Sequence, residues 1–138
     1  MPDGLIDTNV FIHAQTHDAF AEECLGFLEA VASDVLRAEI DPIVLHELSY
    51  ALPHYRKGMT RDEVAEYLLA ILAWPGLTGD KSLLAHTVER WRTGRGLAFV
   101  DSYLAARASQ EQRRVYTKNV RELRDQGIDV PEPLPHRN

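Results

Sequence analysis

Three carboxylates lie at places in the sequence where ordinary surface acids are uncommon. Asp7 closes the apolar run GLID, Glu47 lies on the helical stripe of VLHELSYAL, and Asp101 follows the apolar run GLAFV. A buried carboxylate without a partner is costly, so each of these charges calls for compensation. Carboxylate oxygens are the ligands that Mg²⁺ and Mn²⁺ prefer. We therefore interpret Asp7, Glu47 and Asp101 as candidates for a hard-metal site.

Each of these acids taken alone has a simpler explanation. Asp101 could cap the helix that it begins, where its carboxylate would also meet the positive end of the helix dipole. Glu47 could lie at a solvated helix edge. Three acids gathered at one edge of a sheet would repel one another unless a cation lay between them. A shared metal ion is therefore the better interpretation of the three together.

The elements that position these acids follow from hydrophobic spacing and from capping residues. Asp41 before Pro42 predicts a helix start, Thr60 and Glu63 have the spacing of a capping box, and Asp80 predicts a third N-cap. Strands are predicted at 5–7, 38–41, 76–79, 114–117 and 127–130. Helices are predicted at 11–15, 19–31, 43–52, 64–74, 80–91, 100–112 and 119–123.

Alternating strands and helices predict an α/β fold with three α/β/α layers around a short parallel central sheet. In such sheets ligands bind outside the carboxyl ends of the strands. Asp7 stands at that end of the first predicted strand, and Thr117 and Asn119 stand at that end of the fourth. We expect a single domain over residues 1–130, followed by an extended tail over 131–138.

Composition limits the class of protein. The chain has 138 residues and a formal net charge of −6, which argues against a generally basic nucleic-acid coat. Residues 1–85 carry a net charge of −9 and residues 86–138 carry +3. This division fits a cation-filled acidic site beside an anion-binding rim, and chance clustering on a solvated surface explains it about equally well.

The cellular setting is predicted from three absences in the sequence. Cys24 is the only cysteine, which excludes an internal disulfide and fits a reducing compartment. The start MPDGLID lacks the basic and apolar regions of a secretory signal, and the apolar run YLLAILAW is too short to span a bilayer. We expect a cytoplasmic protein without membrane association.

Four segments of the chain resemble the PIN-domain ribonucleases (PilT N-terminus type), and particularly the toxins of VapBC-like toxin–antitoxin pairs. The segments are IDTNVFIHA, IDPIVLHELSYAL, GLAFVDSYLAARA and VYTKN. They span nearly the whole chain, and the four in this order are far more specific than any single one. The resemblance implies a PIN-like α/β/α fold and a nuclease that hydrolyses RNA phosphodiesters with metal-activated water.

The resemblance also implies roles for the acids and their neighbours. Asp7, Glu47 and Asp101 would be the acidic catalytic residues around one or two Mg²⁺ or Mn²⁺ ions, with Asp7 and Asp101 as metal ligands. Thr8 and Asn9 would support the end of the first strand and the metal-bound waters.

The fourth catalytic position departs from the family pattern. Family members commonly have an Asp two residues after a Thr or Ser, whereas this chain has Asn119 two residues after Thr117. An amide oxygen can still accept a hydrogen bond or coordinate a metal, but it contributes no charge. The missing charge is expected to weaken the binding of a second metal ion and to lower the catalytic activity.

Basic residues near the acids are candidates for RNA phosphate contacts. Arg90, Arg92 and Arg95 form a cluster in ERWRTGRG, and Lys118 flanks the fourth predicted strand. The alternative is a solvated helix end with Trp91 in the core, and for Trp91 we favour the core.

The resemblance further implies an RNA substrate, a cognate antitoxin protein and a homodimer. Two other functions stay open at this point. One is a PIN-fold binding module with weak or no catalysis, which Asn119 favours. The other is a haloacid-dehalogenase-like phosphatase, which also has an Asp after its first strand but requires a second Asp where this chain has Asn9.

Overall fold

The structure is a computed structural model that describes residues 2–94 and 96–137. In this part of the chain, each of three short strands is followed by two or three helices, and there are seven helices in all. The strands are β1 (Gly4–Leu5), β2 (Ala38–Glu39) and β3 (Leu77–Thr78). The helices are α1 (Thr8–Gln15), α2 (Ala21–Ala32), α3 (Pro42–Tyr55), α4 (Arg61–Leu72), α5 (Lys81–Thr93), α6 (Phe99–Glu111) and α7 (Val120–Asp125).

The sheet is parallel, with the strand order β1-β2-β3. Gly4 pairs with Ala38, and Ala38 pairs with Leu77. Since all strands run in the same direction, the chain leaves each of them at the same edge of the sheet. The first strand was expected to be buried, but β1 is an edge strand whose Leu5 side chain is exposed, and burial begins at Ile6.

The predicted three-layer α/β/α architecture is confirmed. The main hydrophobic core joins the sheet to the inner faces of the helices, with Ile40 beside the sheet, Phe11 on α1, Leu48 on α3 and Leu68 on α4 all fully buried. Burying one such side chain stabilises the fold by roughly 1.5–3 kcal/mol. The core therefore holds α1 and α3 rigidly against the sheet, and these two helices begin at its carboxyl edge.

Local capping signals in the sequence are confirmed. Asp41 caps α3, because one of its carboxylate oxygens accepts a hydrogen bond from the backbone N–H of Ile43 at 2.8 Å. Thr60 and Glu63 form the capping box of α4, with both reciprocal bonds at 3.1 Å. Asp80 caps α5 by accepting a hydrogen bond from the backbone N–H of Leu83 at 3.2 Å.

Two of the strand predictions are wrong. Residues 114–117 and 127–130 form no strand, and the backbone bond that the structure shows between these segments runs from Val115 N–H to Asp129 C=O at 3.1 Å. Their alternating pattern arises because Val115, Ile128 and Val130 are buried while their neighbours are exposed. These side chains are buried against α6 and α7, so a strand-like pattern appears without a strand ladder.

A second hydrophobic cluster holds the C-terminal segment, which we define as residues 113–130. In this cluster Leu123 of α7 is fully buried together with Leu97 and Ala105. The α6 helix contributes Phe99 to the main core and Ala105 to the second cluster, so it joins the two. Residues 131–137 form neither helix nor strand, and no described helix has both the length and the apolar character that a membrane span requires.

Candidate metal centre

Asp7 presents a carboxylate that its own helix does not use. It is the N-cap residue of α1, with extended backbone dihedrals, but its side chain makes no capping hydrogen bond. An Asp at this position normally accepts a bond from the first turn of the helix. The side chain is exposed rather than buried as expected, so no burial cost has to be offset there. The charge is free to face a ligand.

Thr8 follows Asp7 and carries a buried hydroxyl without a partner. The residue is 5% exposed, and its Oγ1 has no hydrogen-bond partner among residues 2–94 and 96–137. Leaving a buried hydroxyl unpaired costs roughly 1–3 kcal/mol. A hydrated cation beside Asp7 would provide a partner for it. Asn9, in contrast, is exposed on the first turn of α1.

Asp101 lies in the first turn of α6, where it is half-buried. The N-cap residue of this helix is Ala98, so the explanation of Asp101 as an N-cap is wrong. Its Oδ2 instead accepts a hydrogen bond from the Asn119 side-chain amide at 2.9 Å. Because a carboxylate only accepts hydrogen bonds, the amide nitrogen must be the atom that faces it.

Thr117 orients the residue that contacts Asp101. Its hydroxyl oxygen accepts a hydrogen bond from the backbone N–H of Asn119 at 2.9 Å. Asn119 is the N-cap residue of α7, yet its side chain makes no capping bond and turns to Asp101. The structure therefore brings together three residues singled out from the sequence, Asp101, Thr117 and Asn119.

Glu47 lies half-buried on α3, between the fully buried Leu45 and Leu48. Its helix packs against both α1 and α6, which carry Asp7 and Asp101 at their starts. The structure shows neither a hydrogen bond nor an ion pair for the Glu47 carboxylate within the described ranges. The Glu47 carboxylate is therefore available to a ligand or to solvent.

The donor set fits a hard cation in its chemistry. Asp7, Glu47 and Asp101 offer only oxygen atoms, and none of them forms an ion pair with Lys or Arg in the part of the chain that the structure describes. In that same part, no three side chains of the types His, Cys, Asp and Glu are grouped closely enough to hold one ion. Mg²⁺ commonly keeps several waters and binds one or two carboxylates directly. Asp7, Glu47 and Asp101 do not stand as one preformed three-acid cluster within the described ranges, in contrast to the convergence expected from the sequence.

Two arginines of the predicted RNA-binding cluster have partners within the protein. Arg90 donates from Nη1 to the backbone carbonyl and the side-chain oxygen of Gln126, both at 3.1 Å, which ties α5 to α7. Arg92 pairs with Asp62 at 3.4 Å and Glu66 at 3.7 Å on α4. Each would have to leave these acceptors to contact a phosphate.

The other residues of this group differ in their surroundings. Arg95 lies outside the described residues. Lys118 is exposed and sits between Thr117 and Asn119, so it stands directly beside the Asp101 contact. Trp91 is buried, with its ring edge-on to Phe99 at 5.6 Å, and its assignment to the core is confirmed.

Arg61 is the residue that sequence reasoning missed. Its guanidinium donates to the carbonyls of Trp91 at 2.8 Å and Leu97 at 2.7 Å and lies over the Trp91 ring at 4.5 Å. We call this set of contacts the Arg61 clamp. It fixes the end of α5 and the turn that leads to Asp101. Desolvation at these helix ends lowers the pKa of Arg61, which nevertheless stays charged.

A signal for the Arg61 clamp was present in the sequence. Arg61 occupies the first position of α4, directly after the capping Thr60. A cation there opposes the helix dipole, which favours acids in the first turn. Its position is therefore unfavourable unless contacts outside α4 compensate, and the clamp supplies them.

The three α/β/α layers around a parallel sheet are the architecture of the PIN domain, a nuclease-like fold that is generally metal-dependent. The model of the PIN domain family matches residues 4–125. This chain belongs to the PIN-domain family. A search of the curated proteins found no significant match. The matched range includes Asp7, Glu47, Asp101 and Asn119.

Proposed function

We propose that this chain is an Mg²⁺- or Mn²⁺-dependent endoribonuclease. The carboxylates of Asp7, Glu47 and Asp101 carry the proposal, because all three lack an ion-pair partner in the described ranges and α3, which carries Glu47, packs against both α1 and α6. Family membership supports a nuclease-like site, and the oxygen-only donor set supports a hard divalent ion.

The roles of the individual residues follow from their contacts. Asp7 and Asp101 would bind the ion directly, and Glu47 would accept hydrogen bonds from its waters. Asn119 holds one oxygen of Asp101 and so leaves the other free to coordinate. When bound, the ion would lower the pKa of a water molecule and neutralise charge on the phosphate.

Supporting residues would complete the site around these four. The Thr8 hydroxyl would donate to or accept from a water beside Asp7, which would pair an otherwise orphaned group. Asn9 offers an exposed amide on the same turn, and Thr117 holds Asn119 in place. Lys118 is the best-placed cation for an RNA phosphate, because it is exposed next to Asn119.

We infer the toxin of a toxin–antitoxin pair, with an antitoxin protein and a second copy of the chain as partners, from the four segments that resemble such toxins. The single cysteine, Cys24, agrees with a cytoplasmic setting.

Cleavage of RNA by the purified chain tests the proposal. We expect cleavage that requires Mn²⁺ or Mg²⁺ and that falls by at least roughly 10²-fold in Asp7→Asn and Asp101→Asn, the scale of losing one electrostatic stabiliser. Asp34→Asn is the matched control, because Asp34 is exposed and its positive φ of 63° suits Asn. Variants that cut as fast as the wild type would assign the activity to a contaminant.

A non-catalytic binding module is the second candidate, and Asn119 favours it because an amide adds no charge to the site. The two candidates differ in a measurable way. A binding module would retain RNA affinity in the presence of Mn²⁺ without cleaving any substrate. The phosphatase alternative loses its basis, since the chain belongs to the PIN-domain family.

A further inference from the structure

A cleft opens between α3 and α6, the helices that carry Glu47 and Asp101. It has a volume of about 350 Å³, and its walls include Asp41, Ile43, His46, Phe99, Val100 and Tyr103. We call it the α3–α6 cleft. None of Asp7, Glu47 and Asp101 lines it, but His46 precedes Glu47 on α3 and Val100 precedes Asp101 on α6, so the cleft and these two acids share one pair of helices.

The size of the α3–α6 cleft limits what it can hold. Pockets for small molecules have volumes of roughly 300–1,000 Å³, so this cleft is at the small end of that range. It accommodates one compact ring system with its attached sugar. It is too small to enclose a helix or a folded partner.

The walls of the cleft are suited to a flat ring. The rings of His46 and Phe99 stack at a centroid distance of 5.6 Å and an interplanar angle of 27°. Ile43 is 69% exposed and Val100 is 49% exposed at the rim, so apolar surface faces the solvent there. Phe99 is itself buried, so the half-buried rings of His46 and Tyr103 are the ones available to stack on a nucleobase.

The charge of the cleft selects among the possible occupants. Asp41 is the only charged residue that lines it within the described ranges. Its Oδ1 accepts the capping bond from Ile43, whereas Oδ2 has no partner among residues 2–94 and 96–137. A free carboxylate oxygen disfavours a phosphate and favours a hydrogen-bond donor such as an exocyclic amino group.

We propose that the α3–α6 cleft binds an unpaired purine base of the RNA next to the cleaved phosphate, with an exocyclic amino group on Asp41. The inference rests on the proposed function. It adds a reason for sequence preference, because only bases with an amino group at the matching edge satisfy the Asp41 carboxylate. The half-buried Asp41 carboxylate loses this hydrogen bond when a base lacks the amino group, which weakens the binding of that base.

Base stacking in the cleft is tested by binding alone, without metal and without catalysis. The probe is a uridine-rich single-stranded RNA with one 2-aminopurine, titrated with the chain in EDTA at low salt. Stacking quenches the fluorescence of 2-aminopurine, so we expect quenching by the wild type. His46→Ala and the exposed-site variant Ile43→Ser should bind at least roughly 5-fold more weakly. Tyr55→Ala, an exposed aromatic that does not line the cleft, is the matched control.

Recognition of the amino group is tested by competition. The competitors are copies of this RNA with guanosine or inosine in place of 2-aminopurine. The guanosine RNA should compete about tenfold better than the inosine RNA, which lacks only the amino group. Asp41→Asn should reduce this ratio to near one while keeping α3 capped, because Asn caps helices as well as Asp does.

Three outcomes would overturn the inference. Equal quenching by the His46→Ala, Ile43→Ser and Tyr55→Ala variants would place the base elsewhere. If the wild-type chain cleaves RNA but the guanosine and inosine RNAs compete equally well for it, the base site is refuted and the nuclease is left intact. If Ile43→Ser instead converts a dimer to a monomer with unchanged quenching, the cleft contacts a second copy. Quenching with the predicted preference but no cleavage with Mn²⁺ would refute the nuclease alone.

Discussion

Asp7 and Asp41 occupy equivalent positions after neighbouring parallel strands, yet their carboxylates make different contacts. Asp41 accepts a bond from the first turn of α3, whereas Asp7 makes no such bond to α1. Both residues have extended N-cap backbones, so the backbone geometry allows a capping bond at either one. The difference lies in the side-chain contacts, and it leaves Asp7 available for a ligand.

Replacement of Thr8 by Val separates the stability of the fold from the function of its hydroxyl. Val has the same shape without the unpaired group, so we expect the free energy of unfolding to rise by about 1 kcal/mol. Mn²⁺ affinity and cleavage should fall, because the water beside Asp7 loses a partner. Urea unfolding and titration with Mn²⁺ measure the two effects.

Thr87→Val is the matched control for Thr8→Val. Thr87 is fully buried, and its hydroxyl donates to the Leu83 carbonyl at 2.9 Å. Losing this bond should lower the free energy of unfolding by up to about 1 kcal/mol, opposite in sign to the Thr8 effect. A loss of stability in Thr8→Val as well would contradict the idea that its hydroxyl is unpaired.

Restoring an acid at position 119 tests the fourth catalytic position. In Asn119→Asp a second carboxylate would stand about where the amide now contacts Asp101, and like charges so close repel each other. We expect a lower Tm in EDTA, a larger increase in Tm on adding Mn²⁺, and faster cleavage by up to roughly 10². Thermal unfolding with and without metal and an RNase assay measure these effects.

The control for the added charge is Gln110→Glu, on the exposed C-terminal half of α6. It should change neither the response to Mn²⁺ nor the rate. An Asn119→Asp variant with the metal response of the wild type would remove position 119 from the metal site.

The ends of helices α4, α5 and α6 meet at the Arg61 clamp. Arg61→Met keeps most of the side-chain length but leaves the carbonyls of Trp91 and Leu97 without their donor. We expect the free energy of unfolding to fall by about 2 kcal/mol, since bonds from a charged donor and a cation–π contact are both lost. Urea unfolding measures this change in free energy, and we expect the m-value to stay the same.

Lys57→Met is the control for the loss of one positive charge on the exposed surface near α4. Lys57 has no ion-pair partner within the described ranges, and its replacement should change stability by less than about 0.5 kcal/mol. Equal effects of the Lys57 and Arg61 variants would mean that the Arg61 clamp contributes only charge.

Local elements were predictable from the sequence because their signals are local. The capping box of Thr60 and Glu63, and the N-caps Asp41 and Asp80, depend on spacings of a few residues, and the structure confirms them. The strand predictions at 114–117 and 127–130 had no comparable local signal, because strand pairing depends on partners that are distant in the sequence. Alternation of apolar residues satisfied burial against α6 and α7 equally well.

The positions of the candidate site residues were predictable from the sequence, but the contacts between them were not. Sequence position placed Asp7 at the sheet edge and Asn119 near the start of α7, but the bond between Asn119 and Asp101 joins residues 18 apart and depends on tertiary packing. The Arg61 clamp likewise spans 30 residues to Trp91. The assignment of these residues to one metal ion stays a prediction.

Residues 2–94 and 96–137 contain two hydrophobic clusters, and the proposed site crosses the boundary between them. Asp7 and Glu47 stand on helices packed in the main core, whereas Asn119 belongs to the C-terminal segment held by the second cluster. Asp101 lies on α6, which contributes to both clusters. Opening of the C-terminal segment would therefore disrupt the site without unfolding the main core.

Leu123→Ala tests whether the C-terminal segment opens as a separate unit. Leu123 is fully buried in the smaller cluster, and such a truncation typically costs 2–5 kcal/mol. Because that cost falls on the smaller cluster, we expect hydrogen exchange to become faster in residues 113–130 while α3 keeps its protection. Mn²⁺ affinity should fall with it, since Asn119 loses its place beside Asp101. Leu48→Ala, in the main core, should instead accelerate exchange everywhere, and the same uniform pattern in Leu123→Ala would show that the two clusters unfold as one.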